Sequence, residues 1–104
     1  NDTIMGWWRT LSTKERETAT SVLGITSAKE VAPAMIDLAL ASRANSVIFQ
    51  VQDLLHLGST ARMNRPGVAL GNWRWRMEPG QLTAAMARSL KAHIKKTNRL
   101  PKTP

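Results

Sequence analysis

The order of polar and apolar residues predicts a mostly helical chain whose first clear helix start is at Ser12. Ser12 and Glu15 have the Ser-x-x-Glu spacing of a capping box, in which each side chain binds a free backbone amide at the helix start. The helix should end at Gly24, because glycine readily takes the left-handed conformation found at helix ends.

A second capping box precedes a more apolar helix. Ser27 and Glu30 have the same spacing and should open a turn, after which Pro33 fits the first turn of a helix that runs to about Ser42. The segment Ala34–Ala41 is apolar on nearly all sides. We therefore expect this helix to be buried on more than one face.

The next apolar segment is predicted to be a strand. Val47–Val51 is short, rich in β-branched and aromatic side chains and bounded by polar residues, a pattern typical of a buried strand. A buried helix that leads directly into a buried strand is a step of a parallel sheet. We expect a mostly α chain with one or a few short strands, and the partner strands should lie outside this sequence.

A long loop separates the predicted strand from a last helix. Residues 52–77 are rich in glycine, proline and polar side chains, and ordered loops of this length are usually functional. From Pro79 to about Thr97 we expect an amphipathic helix with one apolar stripe for packing. The stripe consists of Leu82, Met86, Leu90 and Ile94. Residues 99–104 should fray.

The positive charge of the chain lies in its second half. The net charge is +8; residues 1–51 hold five basic and five acidic side chains, whereas residues 52–104 hold ten and two. A basic half suggests a polyanion as partner, so a small basic helical nucleic-acid-binding protein is one hypothesis. A solvated helix face and a frayed tail account better for Lys91, Lys95, Lys96, Arg99 and Lys102.

Few residues suit metal, redox or membrane chemistry. The chain has no cysteine, which excludes disulfides and thiolate sites and is compatible with the cytoplasm, where we expect the protein. His56 and His93 lie far apart in sequence without acidic neighbours at ligand spacing, so we expect no metal site, and no cofactor motif is present. No apolar stretch is long enough to span a bilayer. The sequence begins at Asn1 rather than at methionine, which suggests a piece of a longer protein.

The segment 61–77 carries the chemistry of a binding loop. It holds four arginines, two asparagines and two tryptophans; asparagine and arginine fix polar ligands, and tryptophan offers a flat apolar face. Two acids are predicted at the carboxyl ends of strands, where α/β proteins usually place their binding and catalytic residues. Asp53 follows the predicted strand, and Asp2 would follow another if a strand ended just before Asn1. A structural role as loop or cap acceptor explains each of them at least as well.

Four motifs, in a fixed order, are shared with a known family. They are Asn1-Asp2-Thr3-Ile4-Met5-Gly6-Trp7-Trp8, Gln52-Asp53-Leu54-Leu55-His56-Leu57-Gly58, Ala61-Arg62-Met63-Asn64-Arg65-Pro66-Gly67 and Gly71-Asn72-Trp73-Arg74-Trp75-Arg76. With these motifs, and with Pro79-Gly80-Gln81-Leu82 after them, the chain resembles the C-terminal part of the 4-α-glucanotransferases (amylomaltase, or disproportionating enzyme).

The resemblance implies a fold and an activity. The family has a (β/α)8 TIM barrel and moves α-1,4-linked glucan segments between acceptors by a retaining double displacement, which needs two carboxyls about 5 Å apart. Residues 1–104 would be the C-terminal βα portion of that catalytic barrel, since a whole barrel takes about 250 residues. The family's catalytic acids precede the residues that match Asn1 and Asp2. We therefore expect no catalytic residue in this chain, and an inactive protein when it is isolated.

The resemblance also implies where substrate binds. Asn64 matches an asparagine that touches the bound glucan near the cleavage point, and Asn1 and Asp2 would lie on the active-site face. Trp73 and Trp75 either contact sugar rings or brace the loop against the last helix, and bracing is the simpler account.

Charged residues of the same loop are expected to be mainly structural. Arg62, Arg74 and Arg76 should bind loop carbonyls and acids such as Asp53 rather than substrate. Arg65 stands where the family often has a smaller residue, which leaves the preference for acceptor sugars open.

The expected binding partner is an α-1,4-glucan; we expect no specific binding to nucleic acid and none to membranes. Self-association is expected because apolar faces would lack their barrel neighbours. A third hypothesis, a helical protein-interaction module, would explain the apolar stripes of the helices but not the composition of residues 61–77.

Overall fold

The computed structural model describes residues 2–101, and these residues form helices joined by loops. The α-helices are α1 (Ile4–Thr10), α2 (Thr13–Leu23), α3 (Val31–Ala41), α4 (Val51–Leu54) and α5 (Ala84–Lys96), with 3-10 turns at Ala28–Glu30 and Ser59–Ala61. Within the described residues there is no β-strand. The prediction of a mostly α chain is confirmed.

The first capping box and the helix that it opens are confirmed. The Glu15 amide donates to Ser12 Oγ at 3.2 Å, and the Ser12 amide donates to Glu15 Oε1 at 2.8 Å. The Ser12 backbone amide, and after it the Ser12 side chain, lower the pKa of Glu15 by hydrogen bonding to its carboxylate. The helix ends at Gly24, which has φ 67°, so the glycine supplies the left-handed cap.

The second capping box opens a 3-10 turn, as predicted. Glu30 Oε2 accepts the amides of Thr26 and Ser27 at 2.9 and 3.0 Å. The turn leads directly into α3, and Pro33 lies in the first turn of that helix, where the missing proline N–H costs no hydrogen bond.

Helix α3 is the centre of the molecule, because α1, α2, α4 and α5 all pack against it. Val31, Ala32, Ile36 and Leu40 are buried in these contacts. Burial on more than one face is therefore confirmed. The burial is incomplete, since Leu38 on the same helix is 61% exposed.

The predicted strand Val47–Val51 is wrong. Residues 47–50 have no regular structure, Val51 begins α4, and Ile48 is 95% exposed rather than buried. A β-branched run favours extended backbone, but a strand also needs a neighbour to accept and donate its ladder hydrogen bonds. No described segment lies beside residues 47–50 in that way.

The last helix begins later than predicted. Gly80 has φ 82°, a left-handed conformation that a helix cannot contain, so helix α5 begins only after the Thr83 cap. Thr83 Oγ1 accepts the Met86 amide at 3.1 Å. Three members of the predicted stripe, Met86, Leu90 and Ile94, are half-buried; Leu82 precedes the helix and is exposed.

Arg99 is fixed, and the prediction that it frays is wrong. Its Nε donates to the Leu40 carbonyl at 2.7 Å, and its Nη2 donates to the carbonyls of Ser42 and Ala44 at 3.0 and 2.8 Å. These carbonyls belong to the end of α3, where a guanidinium satisfies orphan acceptors and the helix dipole together. The remaining tail, 102–104 with Lys102, lies outside the described residues.

Candidate functional site

The start of the chain is joined to the turn after α4 by the Asp2 carboxylate. Asp2 Oδ1 accepts the Thr3 amide at 2.8 Å, and Asp2 Oδ2 accepts the Ser59 hydroxyl at 3.1 Å. Arg62 Nη1 lies 3.8 Å from the same Oδ2. The carboxylate is partly buried there, so its negative charge is matched by three donors. Asn1, the other predicted residue of this segment, lies outside the described residues.

Asp53 approaches the same place from α4. Its Oδ1 accepts the Ile4 amide, the first of α1, at 2.7 Å, and the residue is buried. Burial raises the pKa of Asp53 above its ordinary value, the Ile4 amide opposes that rise, and the negative charge of Asp2 adds to it. The two acids that the sequence singled out are thus brought together, and both accept backbone amides.

Three residues that the sequence analysis missed complete this cluster. Gln50 Nε2 donates to the Asp2 carbonyl at 3.2 Å, and Ser59 binds the Asp2 carboxylate. A Cβ on Gly6 would collide with Asp2 Oδ1 and Ser59 Oγ, so only glycine allows this close approach. These contacts join residues about fifty positions apart, and no local spacing predicts them.

Arg62 connects the Asp2 cluster to the loop at 62–77. Its Nε donates to the Asn64 carbonyl at 3.2 Å. The binding partners expected for Arg62 were loop carbonyls and acids; it binds both, with Asp2 in place of Asp53. The Asn64 side chain is half-buried, and its amide makes no hydrogen bond to residues 2–101. That amide is available to a ligand.

Asn72 braces the loop, which the sequence analysis did not anticipate. The Arg65 amide donates to Asn72 Oδ1, and Asn72 Nδ2 donates to the Val68 carbonyl, both at 2.8 Å. The next residue, Trp73, donates its amide to the Met63 carbonyl. An asparagine that binds backbone on both sides of a Pro-Gly turn holds that turn in one shape.

The two tryptophans of the loop differ in exposure. Trp73 is 64% exposed, whereas Trp75 is half-buried. Arg76 Nη1 donates to the Trp75 carbonyl at 3.1 Å, which is the loop-carbonyl contact that the sequence predicted for this arginine. Among residues 2–101, no carboxylate pairs with Arg74.

The remaining titratable groups form no second centre. His93 Nδ1 lies 2.8 Å from Asp37 Oδ1 at an exposed contact between α5 and α3. Residues 2–101 contain no group of three or more histidine, aspartate or glutamate side chains that could hold a metal ion. Across the same residues, every helix is too short or too polar to cross a membrane.

The structure is similar to that of a carbohydrate-active enzyme. An amylomaltase from Streptococcus agalactiae, solved in complex with acarbose, superposes with a TM-score of 0.88 and 28% identity over 95% of this chain and 20% of its own. A family model described as 4-alpha-glucanotransferase matches residues 1–83. The chain therefore belongs to the 4-alpha-glucanotransferase family, as its motifs indicated.

Individual relatives agree with this assignment. A 4-alpha-glucanotransferase of Thermus thermophilus is 42% identical over 96% of this chain and 21% of its own length. A chloroplastic/amyloplastic 4-alpha-glucanotransferase of Oryza sativa subsp. japonica is 46% identical over 74% of this chain and 13% of its own. This chain thus spans between about an eighth and a fifth of these relatives.

Proposed function

We propose that this chain is the C-terminal part of the catalytic barrel of a 4-α-glucanotransferase, which transfers α-1,4-glucan segments to acceptor sugars by a retaining double displacement. The observation that carries the proposal is the match of residues 1–83 to the family model. The amylomaltase that shares this fold was solved with acarbose, which supports an oligosaccharide as the ligand.

The carboxylates of this chain support a positioning role rather than catalysis. Retaining transfer needs one carboxylate free to attack the sugar and another to move a proton, about 5 Å apart. Asp2 and Asp53 instead accept the amides of Thr3 and Ile4, which fixes the direction of the backbone at the chain start. We propose that the catalytic acids belong to the rest of the enzyme and that this cluster orients the segment beside them.

The loop at 62–77 is proposed as part of the substrate-binding wall. Arg62 holds the Asn64 carbonyl while it pairs with Asp2, so one side chain connects the loop to the chain start. The free amide of Asn64 offers both a donor and an acceptor, which suits sugar hydroxyls.

The test is maltotriose disproportionation by the full-length protein that carries this chain, hereafter the full-length protein. We expect glucose release together with longer maltooligosaccharides, and products that keep the α configuration by NMR. The isolated 104-residue chain should show no turnover above a mock preparation. Hydrolysis without longer products, or turnover by the isolated chain, would contradict the proposal.

The nucleic-acid hypothesis receives no support from the comparisons. Several basic residues have internal roles, since Arg16 donates to the Trp8 carbonyl at 3.2 Å and Arg62 and Arg99 bind loop and helix carbonyls. We expect only weak DNA binding that disappears as salt is added, because it would rest on counterion release alone.

A further inference from the structure

Trp73 has a backbone conformation that a bulky residue rarely takes. Its φ is 61°, in the left-handed region, where the Cβ of any residue other than glycine meets the following carbonyl. Such conformations cost free energy and persist only where the surrounding structure imposes them. Strained residues of this kind are concentrated at ligand-binding and catalytic sites.

Hydrogen bonds of Trp73 and of the residue before it impose this conformation. The Trp73 amide donates to the carbonyl of Met63, the residue directly before Asn64. Its neighbour Asn72 binds the Arg65 amide and the Val68 carbonyl, both at 2.8 Å. The Trp73 backbone is therefore fixed, and it is hydrogen-bonded directly to the residue before Asn64.

The strained residue gains little burial within the chain, since Trp73 is 64% exposed. Its two sequence neighbours are polar: Arg74 is exposed, and Asn72 is half-buried and binds the amide of the exposed Arg65. The apolar groove between α1, α2 and α3, lined by residues such as Trp7 and Leu38, is different because it is almost wholly apolar. A contiguous apolar surface such as this groove is typical of a protein-binding site. A single exposed ring beside amide and guanidinium groups instead suits a ligand that is apolar on one face and polar at its edge.

We propose that Trp73 is a stacking platform for a pyranose ring of the α-1,4-glucan, on the same loop that presents the Asn64 amide. A pyranose ring has an apolar C–H face and a rim of hydroxyls, which matches an indole surrounded by hydrogen-bonding groups. The strain at Trp73 then serves to hold the indole outward. This inference rests on the proposed function and names one residue that carries it.

The decisive variant is Trp73→Gly in the full-length protein. Glycine takes the left-handed conformation without strain, so the melting temperature should stay equal or rise. Loss of the ring should weaken binding of maltoheptaose by about three- to ten-fold, measured by calorimetry at a temperature at which chromatography of the sample detects no transfer products. The KM for maltotriose should rise by a similar factor. Trp73→Phe keeps an aromatic face, so its affinity should stay within about two-fold of wild type.

Asn98→Gly is the matched control, because Asn98 has φ 60° at the end of α5 and is remote in sequence from the loop. It should leave maltoheptaose affinity unchanged. Unchanged affinity in Trp73→Gly, or a loss that comes with a lower melting temperature and is not restored in Trp73→Phe, would overturn the inference. If the wild-type protein binds maltoheptaose but transfers nothing, the proposed function fails, while the binding comparison still decides the role of Trp73.

Discussion

Asp53 and Asp2 place two carboxylates in one partly buried cluster. Burial raises the pKa of Asp53 from its ordinary 3.8, and the charge of Asp2 adds to the rise. The folded protein then binds the Asp53 proton more tightly than the unfolded chain does. Stability linked to this group is present below pH 3.8 and is lost as pH rises through the higher folded pKa.

Asp53→Asn should therefore stabilise the full-length protein at neutral pH. The amide oxygen can still accept the Ile4 amide, which Asp53 Oδ1 binds at 2.7 Å, and the buried charge is gone. We expect a melting temperature higher by roughly a few degrees at pH 7 and a smaller difference near pH 4. A difference that grows toward acid pH would show that the charge of Asp53 stabilises the fold.

Asn64 and Asn72 lie on one loop and differ in hydrogen bonding: the Asn72 side chain binds the Arg65 amide and the Val68 carbonyl, whereas only the backbone carbonyl of Asn64 is bound. Asn64→Ala removes an amide that is unpaired within residues 2–101 and leaves the carbonyl that binds Arg62, so the melting temperature should hardly change. The kcat/KM for maltotriose should fall on the order of ten-fold, if the lost bond strengthens at the transition state. Melting curves and kinetics are measured on one preparation of the full-length protein.

Asn72→Ala is the matched comparison for that experiment. It removes the hydrogen bonds to the Arg65 amide and the Val68 carbonyl, each worth about 0.5–1.5 kcal/mol. We expect the loop to loosen, which increases its susceptibility to proteolysis. If Asn64→Ala instead lowers the melting temperature and leaves the kinetics normal, Asn64 is a structural residue and not a ligand-binding one.

At the scale of elements, α3 depends on a residue from the far end of the chain. Arg99 binds the carbonyls of Leu40, Ser42 and Ala44. Arg99→Ala leaves these acceptors without protein donors, so amides in the last turn of α3 should exchange with solvent about ten-fold faster, or more. Native-state hydrogen exchange of the full-length protein measures this. Arg99→Lys should recover only part of the protection, because lysine lacks the planar fork.

Lys96→Ala is the control for Arg99, since it removes one positive charge from an exposed site on α5. Exchange at the end of α3 should not respond to it. Equal effects of the two substitutions would mean that net charge, rather than the hydrogen bonds of Arg99, protects the helix end.

The elements that the sequence predicted well are those fixed by short-range signals. The capping boxes at Ser12 and Ser27 and the cap at Gly24 each act within four residues, so spacing alone identifies them. The strand prediction at Val47–Val51 was wrong because β-propensity reports extended backbone, and only tertiary partners turn it into a strand. The prediction that the last helix includes residues 79–83 was wrong because Gly80 has a left-handed backbone conformation, which the periodicity of apolar residues does not reveal.

The site was predictable in its parts and not in its connections. Asp2, Asp53 and Arg62 stood out by residue type and position, and the structure brings all three together. Their partners, Ser59 and Gly6, carry no signal in the sequence, because Ser59 is 57 positions from Asp2 and reaches it only where α1 meets the turn at Ser59–Ala61.

The whole molecule is elongated for its length, with principal-axis extents of 47 × 34 × 26 Å. Its radius of gyration is 15.3 Å, against about 13 Å for a compact domain of 100 residues. The buried hydrophobic core is small and centred on α3. Domains of this size already bury a modest fraction of their surface, so the isolated chain has little apolar burial to offset its conformational entropy.

We predict that the isolated 104-residue chain associates with itself at micromolar concentration. Its apolar groove between α1, α2 and α3 leaves Val22 76% and Leu38 61% exposed, and exposed patches of this kind recruit partners. Sedimentation velocity should show a dimer or a larger species. Leu38→Arg should shift the chain toward monomer, whereas Leu70→Arg should not, because Leu70 is exposed in the 62–77 loop and outside the groove. A wild-type chain that sediments as a monomer and unfolds cooperatively would show that the core around α3 suffices alone.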